Sequence, residues 1–431
     1  MTRLKLGALK YPVFIMAAWI TVLLLRLIPI GGKWGSLDDF TWFVFIIWFV
    51  VYFSAMLFGI SYKPKHTINT NSFPVKWQNC WITQLSFYSI IGAMLIIYEF
   101  AITRHYGFST PVSIIRILEI EAANAGFKGS WISGAGRMLT PALMVAWVLA
   151  SLAWKEVAKR TLIILWTASA VVFYQQMLFE GGRFYLGALF VMIFLAKFFA
   201  IQPRLQKHVL IGKTLWVGFF LAVCLLFGYM FIDRYEQLNR AFYEAYETWT
   251  LNFDLEITDA VRSRLSGEMP GFWLAINMLW AYVTQGLNEL NVILLSCQPD
   301  MGWGRINFTQ IAQMLGKLTN LDFKYDSNYN MPKTGTYITL YGATYIDFGH
   351  VGGLIFISIV GWVTGMSTRL LHSRYFNGLS ISAPLLLTLG IFSPIVSLVL
   401  NLWPAFCWAL LVGWTLKLSY YRASSIATNV L

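Results

Sequence analysis

The sequence predicts an all-α integral membrane protein of about ten transmembrane helices with one large extramembrane loop. Three observations carry this reading. The chain is 58% hydrophobic and only 12% charged over 431 residues, too little charge to cover a soluble globule of that length. Apolar stretches of about 20 residues, the length that crosses a hydrocarbon core, recur along most of the sequence. The basic residues are concentrated in one alternate set of the connections between those stretches, the asymmetry that orients membrane helices. Short segments of alternating polarity, which a membrane β-barrel requires, are absent.

The expected spans, in order, are 11–30, 40–60, 81–102, 138–154, 161–179, 184–201, 210–232, 351–371, 380–400 and 402–420. Thr2–Lys10 is a short basic leader. The first apolar run continues into GGKWGS rather than a cleavage site, so this span is expected to stay attached. "GSLDDFTW" opens the second span, and Ser36–Asp39 there has the composition of a helix N-cap. The stretch 271–297 is apolar enough to be ambiguous, and charge decides it. If it does not cross, seventeen Lys and Arg, from Arg3 to Arg422, lie on the side of both termini with Glu156 as their only acid. If it crosses, Arg369, Arg374, Lys417 and Arg422 move to the opposite side. The first arrangement is expected, and it divides the chain into residues 1–232 with seven spans, a loop 233–350, and residues 351–431 with three spans and a short tail. Within the loop, Asn277, Thr284, Asn288 and Asn291 share one stripe of a helix expected to lie in the interface or to dip in and return. The net charge of +12 is thus a topology signal and no argument for nucleic acid.

Polar residues set against this apolar background are the candidate functional groups. "LFEGGRFYLGALF" places Gly181 and Gly182 in a reversal between two spans, flanked by Glu180 and Arg183. An arginine at a span boundary needs a partner or a task; here a local pair with Glu180 and snorkelling to the interface competes with anion binding. Arg234 and Arg240 in "DRYEQLNRAFYEAYETW", Arg264 in "VRSRLSGEMPG" and Arg305 in "GWGRINF" extend the set. Ion pairs at helical spacing (Glu236 with Arg240, Arg240 with Glu244, Asp259 with Arg262) are the simpler reading of these. The alternative is several planar guanidinium forks converging on a diphosphate. Tyr337, Tyr341 and Tyr345 recur every four residues. Interface anchoring explains each alone, whereas together with Trp303 and Tyr329 they offer faces for sugar rings. Asp347 and His350 follow beside Gly349. Cys80, Cys224, Cys297 and Cys407 form no pair, and the five histidines have no ligand spacing, so neither a disulfide framework nor a metal site is expected.

The order of a "GGR" turn between two spans, a charged "RYE…R" segment after the next span, a large loop, and "YGATYIDFGHVGGLIFISIVG" entering a late span resembles the Wzy-type O-antigen polymerases, or oligosaccharide repeat unit polymerases. Gly181, Gly182 and Arg183 match the family's glycine–arginine turn. Tyr341, Tyr345, Asp347, Phe348, Gly349 and Gly353 match its late motif. The motifs cover about 178–190, 233–240 and 335–362, and many relatives carry twelve or more spans where ten are expected here.

The charge asymmetry leads us to expect both termini in the cytoplasm, and the resemblance implies a GT-C-like helical bundle in the bacterial inner membrane with the site facing the periplasm. It implies a glycosyltransferase that moves a growing undecaprenyl-diphosphate-linked glycan onto a new lipid-linked repeat unit. No cofactor or metal is expected, and the partners are the lipid-linked oligosaccharides, membrane lipids and a chain-length regulator. On this reading Arg183, Arg234, Arg240, Arg264 and Arg305 hold the diphosphate. Asp347, His350 and Glu180 are the candidates for the catalytic base, and Tyr337, Tyr341 and Tyr345 for sugar contacts. Alternatives are an O-antigen ligase acting on lipid A-core, a lipid-linked oligosaccharide flippase, and a transferase using a polyprenyl monophosphate sugar with Asp38 or Asp39 as base.

Overall fold

The computed structural model describes residues 2–62, 75–106, 115, 118, 130–152, 154–176, 183–200, 232, 241–251, 255–297, 304, 306–308, 311, 338–373 and 377–428. Helix dominates them. In chain order the elements are α1 (Thr2–Leu27), β1 (Lys33–Trp34), α2 (Asp39–Ile60), α3 (Val75–Tyr98, continued by a π-turn Glu99–Thr103), α4 (Trp131–Leu139), α5 (Ala142–Leu152), α6 (Lys159–Gln175), α7 (Arg183–Ala200), α8 (Phe242–Leu251), β2 (Leu255–Glu256), α9 (Asp259–Leu265), α10 (Pro270–Ser296), α11 (Leu340–His372), α12 (Gly378–Phe392) and α13 (Val399–Thr428).

Among the described residues five helical stretches are long and apolar enough to cross a membrane: Leu9–Leu27, Asp39–Ile60, Trp77–Thr103, Trp131–Leu152 and Leu340–His372. Gly187–Ala196, Gly378–Phe392 and Leu402–Thr415 are apolar but shorter. The chain is therefore an all-α protein with the helices of a membrane protein. Several expected boundaries move. The fourth helical stretch begins at Trp131, seven residues early, and turns at Thr140–Pro141 because proline cannot donate to the preceding turn. The span expected from 351 begins at Leu340 and takes the tyrosine-rich segment into the helix. The span expected over 380–400 stops at Phe392, and a non-helical connection leads to α13. The expected seventh span, 210–232, lies outside the described residues apart from Ile232.

The centre of the bundle is the pair α2 and α11. Gly361 lies so close to α2 that an added Cβ would come within 2.5 Å of the Tyr52 carbonyl oxygen; Gly59 and Gly365 meet the partner backbone in the same way. Without a hydrophobic gain between helices in lipid, such small residues let backbones approach and maximise dispersion contact. Aromatic rings fill the space beside this seam. Trp19 of α1 is buried and donates from Nε1 to the Gly390 carbonyl at 2.7 Å, tying α1 to α12. Its ring packs against Tyr52 and Tyr341, with centroids 5.7 and 5.6 Å away.

Capping fixes where helices start. Asp38 has extended backbone, and its carboxylate accepts from the Phe40 N–H at 2.8 Å, which satisfies one of the free N–H groups of α2. The capping expected for "GSLDDFTW" is therefore present. Asn377 and Ser380 form a reciprocal capping box at α12. α10 is a single 27-residue helix with proline at its start; it packs on α1, α8, α9 and α11. β1 and β2 pair antiparallel, Lys33 with Glu256 and Trp34 with Leu255, fastening the segment after α1 to the region before α9.

Candidate functional site

The polar features gather at one end of the bundle, where α1 ends and α2 and α11 begin. α11 is two helices in one. Gly349 has φ 65° and ψ −170°, a conformation essentially reserved for glycine, and it breaks the helix between Phe348 and His350. The short leading helix, from Leu340 to Phe348, is laced to the connection after α12. Leu340 N–H donates to the Ser393 carbonyl at 3.0 Å, and Ser397 N–H to the Ile338 carbonyl at 2.6 Å. Thr339 caps this helix by accepting from the Gly342 N–H at 3.0 Å.

Asp347 closes the leading helix and is buried. Its carboxylate accepts from the Ile306 N–H at 2.9 Å, the Asn307 N–H at 2.9 Å and the Asn307 Nδ2 at 2.8 Å. The Asn307 Oδ1 in turn accepts from the Ser397 hydroxyl at 3.2 Å. This carboxylate thus holds residues 304–308 against α11, with its oxygens occupied by donors. His350, on the other side of the break, is exposed. Its ring lies 4.7 Å from the Tyr345 ring and 5.7 Å from the Phe40 ring, nearly perpendicular to the latter. The two candidate bases are three residues apart yet differ completely in access.

The tyrosines also divide. Tyr341 is fully buried, with Trp48, Trp19 and Phe45 rings at 4.7, 5.6 and 6.0 Å. Ringed by aromatics, it offers no open face to a sugar and packs as core. Tyr345 is buried at its ring, next to His350, and its hydroxyl donates to the Cys297 carbonyl at 3.3 Å. Burial pushes the Cys297 thiol up from its ordinary pKa, away from the thiolate a nucleophile needs.

The polar stripe expected on α10 faces the segment between α1 and α2. The Asn291 Oδ1 accepts from the Asp38 N–H at 2.9 Å and the Thr41 hydroxyl at 2.7 Å. Thr284 accepts from the Trp34 indole N–H at 2.8 Å. Asn288 is buried on the same stripe. Asn277 is buried with neither amide atom hydrogen-bonded among the described residues. Nearby, the Arg26 Nη2 donates to the Gly35 carbonyl at 2.8 Å, and its guanidinium lies 5.6 Å over the Trp34 ring, itself stacked 5.8 Å from Trp280.

The other expected diphosphate ligands are dispersed or outside the described residues. Arg264 is half-buried at the end of α9; its Nε donates to the Ala260 carbonyl at 3.0 Å and its guanidinium lies 4.9 Å over Trp273. Arg183 opens α7, but its side chain is outside the described residues, as are Glu180, Arg234, Arg240, Arg305 and Tyr337. The structure brings together Asp347, His350 and Tyr345 with Asn291 and the start of α2. It adds Arg26, Trp34 and Asn307, which the sequence reading did not select. An arginine in the last turn of an apolar helix was the signal for Arg26; no local pattern marks Asn307.

At this end an exposed imidazole, aromatic rings and side-chain amides provide a proton acceptor, stacking surfaces and hydrogen-bond partners for hydroxyl groups. Among the described residues, no group of three or more His, Cys, Asp or Glu side chains is placed to hold a metal ion. No model of a known protein family, no characterised protein and no solved structure matches this chain.

Proposed function

We propose that the chain is a polysaccharide polymerase of the bacterial inner membrane. It transfers a growing undecaprenyl-diphosphate-linked glycan onto a lipid-linked repeat unit at the periplasmic face. The observation that carries the reading is the exposed His350 at the Gly349 break, set against Tyr345 and Phe40. That break falls inside the same "DFGH" sequence on which the resemblance to Wzy-type polymerases rests.

The reaction exchanges one bond for another. An acceptor hydroxyl attacks the anomeric carbon of the donor glycan, the bond from that carbon to the diphosphate oxygen breaks, and undecaprenyl diphosphate leaves. The hydroxyl proton passes to a base within hydrogen-bond reach. Of the candidates, His350 has the access; Asp347 positions residues 304–308, and Glu180 is the remaining alternative. Charge builds on the leaving diphosphate, and preorganised cations stabilise it most where water is scarce. Arg183, Arg234, Arg240, Arg264 and Arg305 are the proposed cations, with Arg26 added from its place beside Trp34. Tyr337 is the proposed sugar contact, while Tyr345, its ring buried against His350, and Tyr341, deeper in the core, support the break. The partners are the lipid-linked oligosaccharides and a chain-length regulator.

Deleting the gene and resolving surface polysaccharide on a gel tests the reading. Loss of the polymerase leaves core capped with a single repeat. Absence of any capped core, with lipid-linked polymer retained, makes the chain a ligase instead; absence of repeats from the outer face makes it a flippase. Complementation with Arg183→Ala is expected to give single repeats, and a full ladder from that variant removes Arg183 from the site.

A further inference from the structure

At the opposite end of the bundle, α11 carries a second polar centre that the proposed chemistry does not use. Arg369 lies twenty residues beyond Gly349, or ~30 Å along a helix rising about 1.5 Å per residue. Arg369 is 8% exposed, and both its Nε and Nη1 are buried with no hydrogen-bond partner among the described residues. Burying guanidinium N–H groups unpaired costs free energy, so an anion at this position is the simplest way to satisfy them.

Among the described residues there is almost no anion to give. No Asp or Glu occurs before Asp38, between Asp39 and Glu99, or after Asp347. Among the described residues, α1, α2 and α12, which pack on α11, therefore offer no carboxylate at this end. α10 meets α11 at its other end, where Ile293 reaches Gly342 and the Cys297 carbonyl accepts from Tyr345. Glu156, the only acid expected on this side, is exposed, with its backbone carbonyl bound to Asn79 of α3. Cations gather here instead: Arg369 and His372 share the last turn of α11, and Lys10 lies on α1, which packs against α11. Lys10 is exposed beside Tyr11, at the border of the apolar part of α1.

We infer that Arg369, with Lys10 and His372, binds the phosphate group of an anionic phospholipid at this end of the bundle. A fixed guanidinium suits phosphate oxygens bidentately. Basic pockets between membrane helices, walled by apolar side chains, take lipid headgroups because the acyl chains lie along the same helices. The site is separate from the end where transfer is proposed and stands whether or not that proposal does.

Titration of the detergent-solubilised full chain with phosphatidylglycerol, followed by native mass spectrometry and thermal melting, tests it. The wild type is expected to bind phosphatidylglycerol in preference to phosphatidylcholine and to melt a few degrees higher with it. Arg369→Gln is expected to lose about tenfold in apparent affinity, the loss of one charge-assisted contact. Lys10→Gln, at an exposed position, is expected to lose a few-fold and remains informative if Arg369→Gln does not fold. Unchanged phosphatidylglycerol binding in either variant overturns the assignment. So does inorganic phosphate raising the melting temperature as much as the lipid, since the site would then take free phosphate.

Discussion

Asp347 and His350 show how three residues of separation across a helix break assign different roles. Asp347 accepts three hydrogen bonds in a buried setting, so Asp347→Ala leaves the Ile306 and Asn307 donors unpaired and is expected to cost ~2–4 kcal/mol. Denaturation of the purified protein measures it; a cost below about 0.5 kcal/mol would show that residues 304–308 are held by other contacts. His350 is exposed, and His350→Ala is expected to change stability by less than about 0.5 kcal/mol while reducing the polysaccharide ladder to single repeats. A normal ladder from that variant removes His350 as base. Tyr341 gives a third contrast. Its hydroxyl is buried with no hydrogen-bond partner among the described residues, so Tyr341→Phe is expected to leave stability and ladder length unchanged. A sugar-binding hydroxyl at this position would instead shorten the ladder.

At the scale of elements, the break in α11 is the feature on which the site depends. Gly349→Ala puts a Cβ on a backbone conformation that costs of order 1–3 kcal/mol for other residues. The variant is expected either to lose that stability or to straighten the helix and displace His350 from Tyr345 and Phe40. Unfolding measurements and ladder length read both, and an unaffected variant would mean that the break carries no function. The sequence made the helices legible, because hydropathy and length set them, and it made the Asp38 cap and the α10 stripe legible, because both are local patterns. The break was hidden, since one glycine among Gly342, Gly349, Gly352 and Gly353 carries no mark of its conformation. The burial of Tyr341 was hidden for another reason: its neighbours Trp19, Phe45 and Trp48 lie about 300 residues away in the chain, and only the packing of α1, α2 and α11 brings them together. Where the pattern was ambiguous between interface anchor and core, tertiary contact decided.

For the whole molecule, the distribution of charge makes the sharpest prediction. The acid-free stretches of the sequence take in α1, the body of α2, α3 up to Tyr98, α11 beyond Asp347, and α12 and α13, while among the described residues Asp38, Glu99 and Asp347 lie towards the opposite end. Glu99 is fully buried and paired with Arg104 at 3.4 Å in the π-turn that ends α3, so even the one acid in the α3 span sits at that end. Orientation by basic residues is then expected to put the Gly349 end outside and the Arg369 end inside. Two exposed serines report on the two ends: Ser266, which follows α9 next to α10, and Ser61, which ends α2 about 33 Å from its start at 1.5 Å per residue. With Cys80, Cys224, Cys297 and Cys407 replaced, Ser266→Cys is expected to react with a membrane-impermeant maleimide as soon as the outer membrane is opened. Ser61→Cys is expected to react only after the inner membrane is lysed. Reaction of both from the same side would refute the separation of the two ends across the membrane. The reverse pattern would invert the molecule and place His350 in the cytoplasm, where a periplasmic polymerase has no use for it.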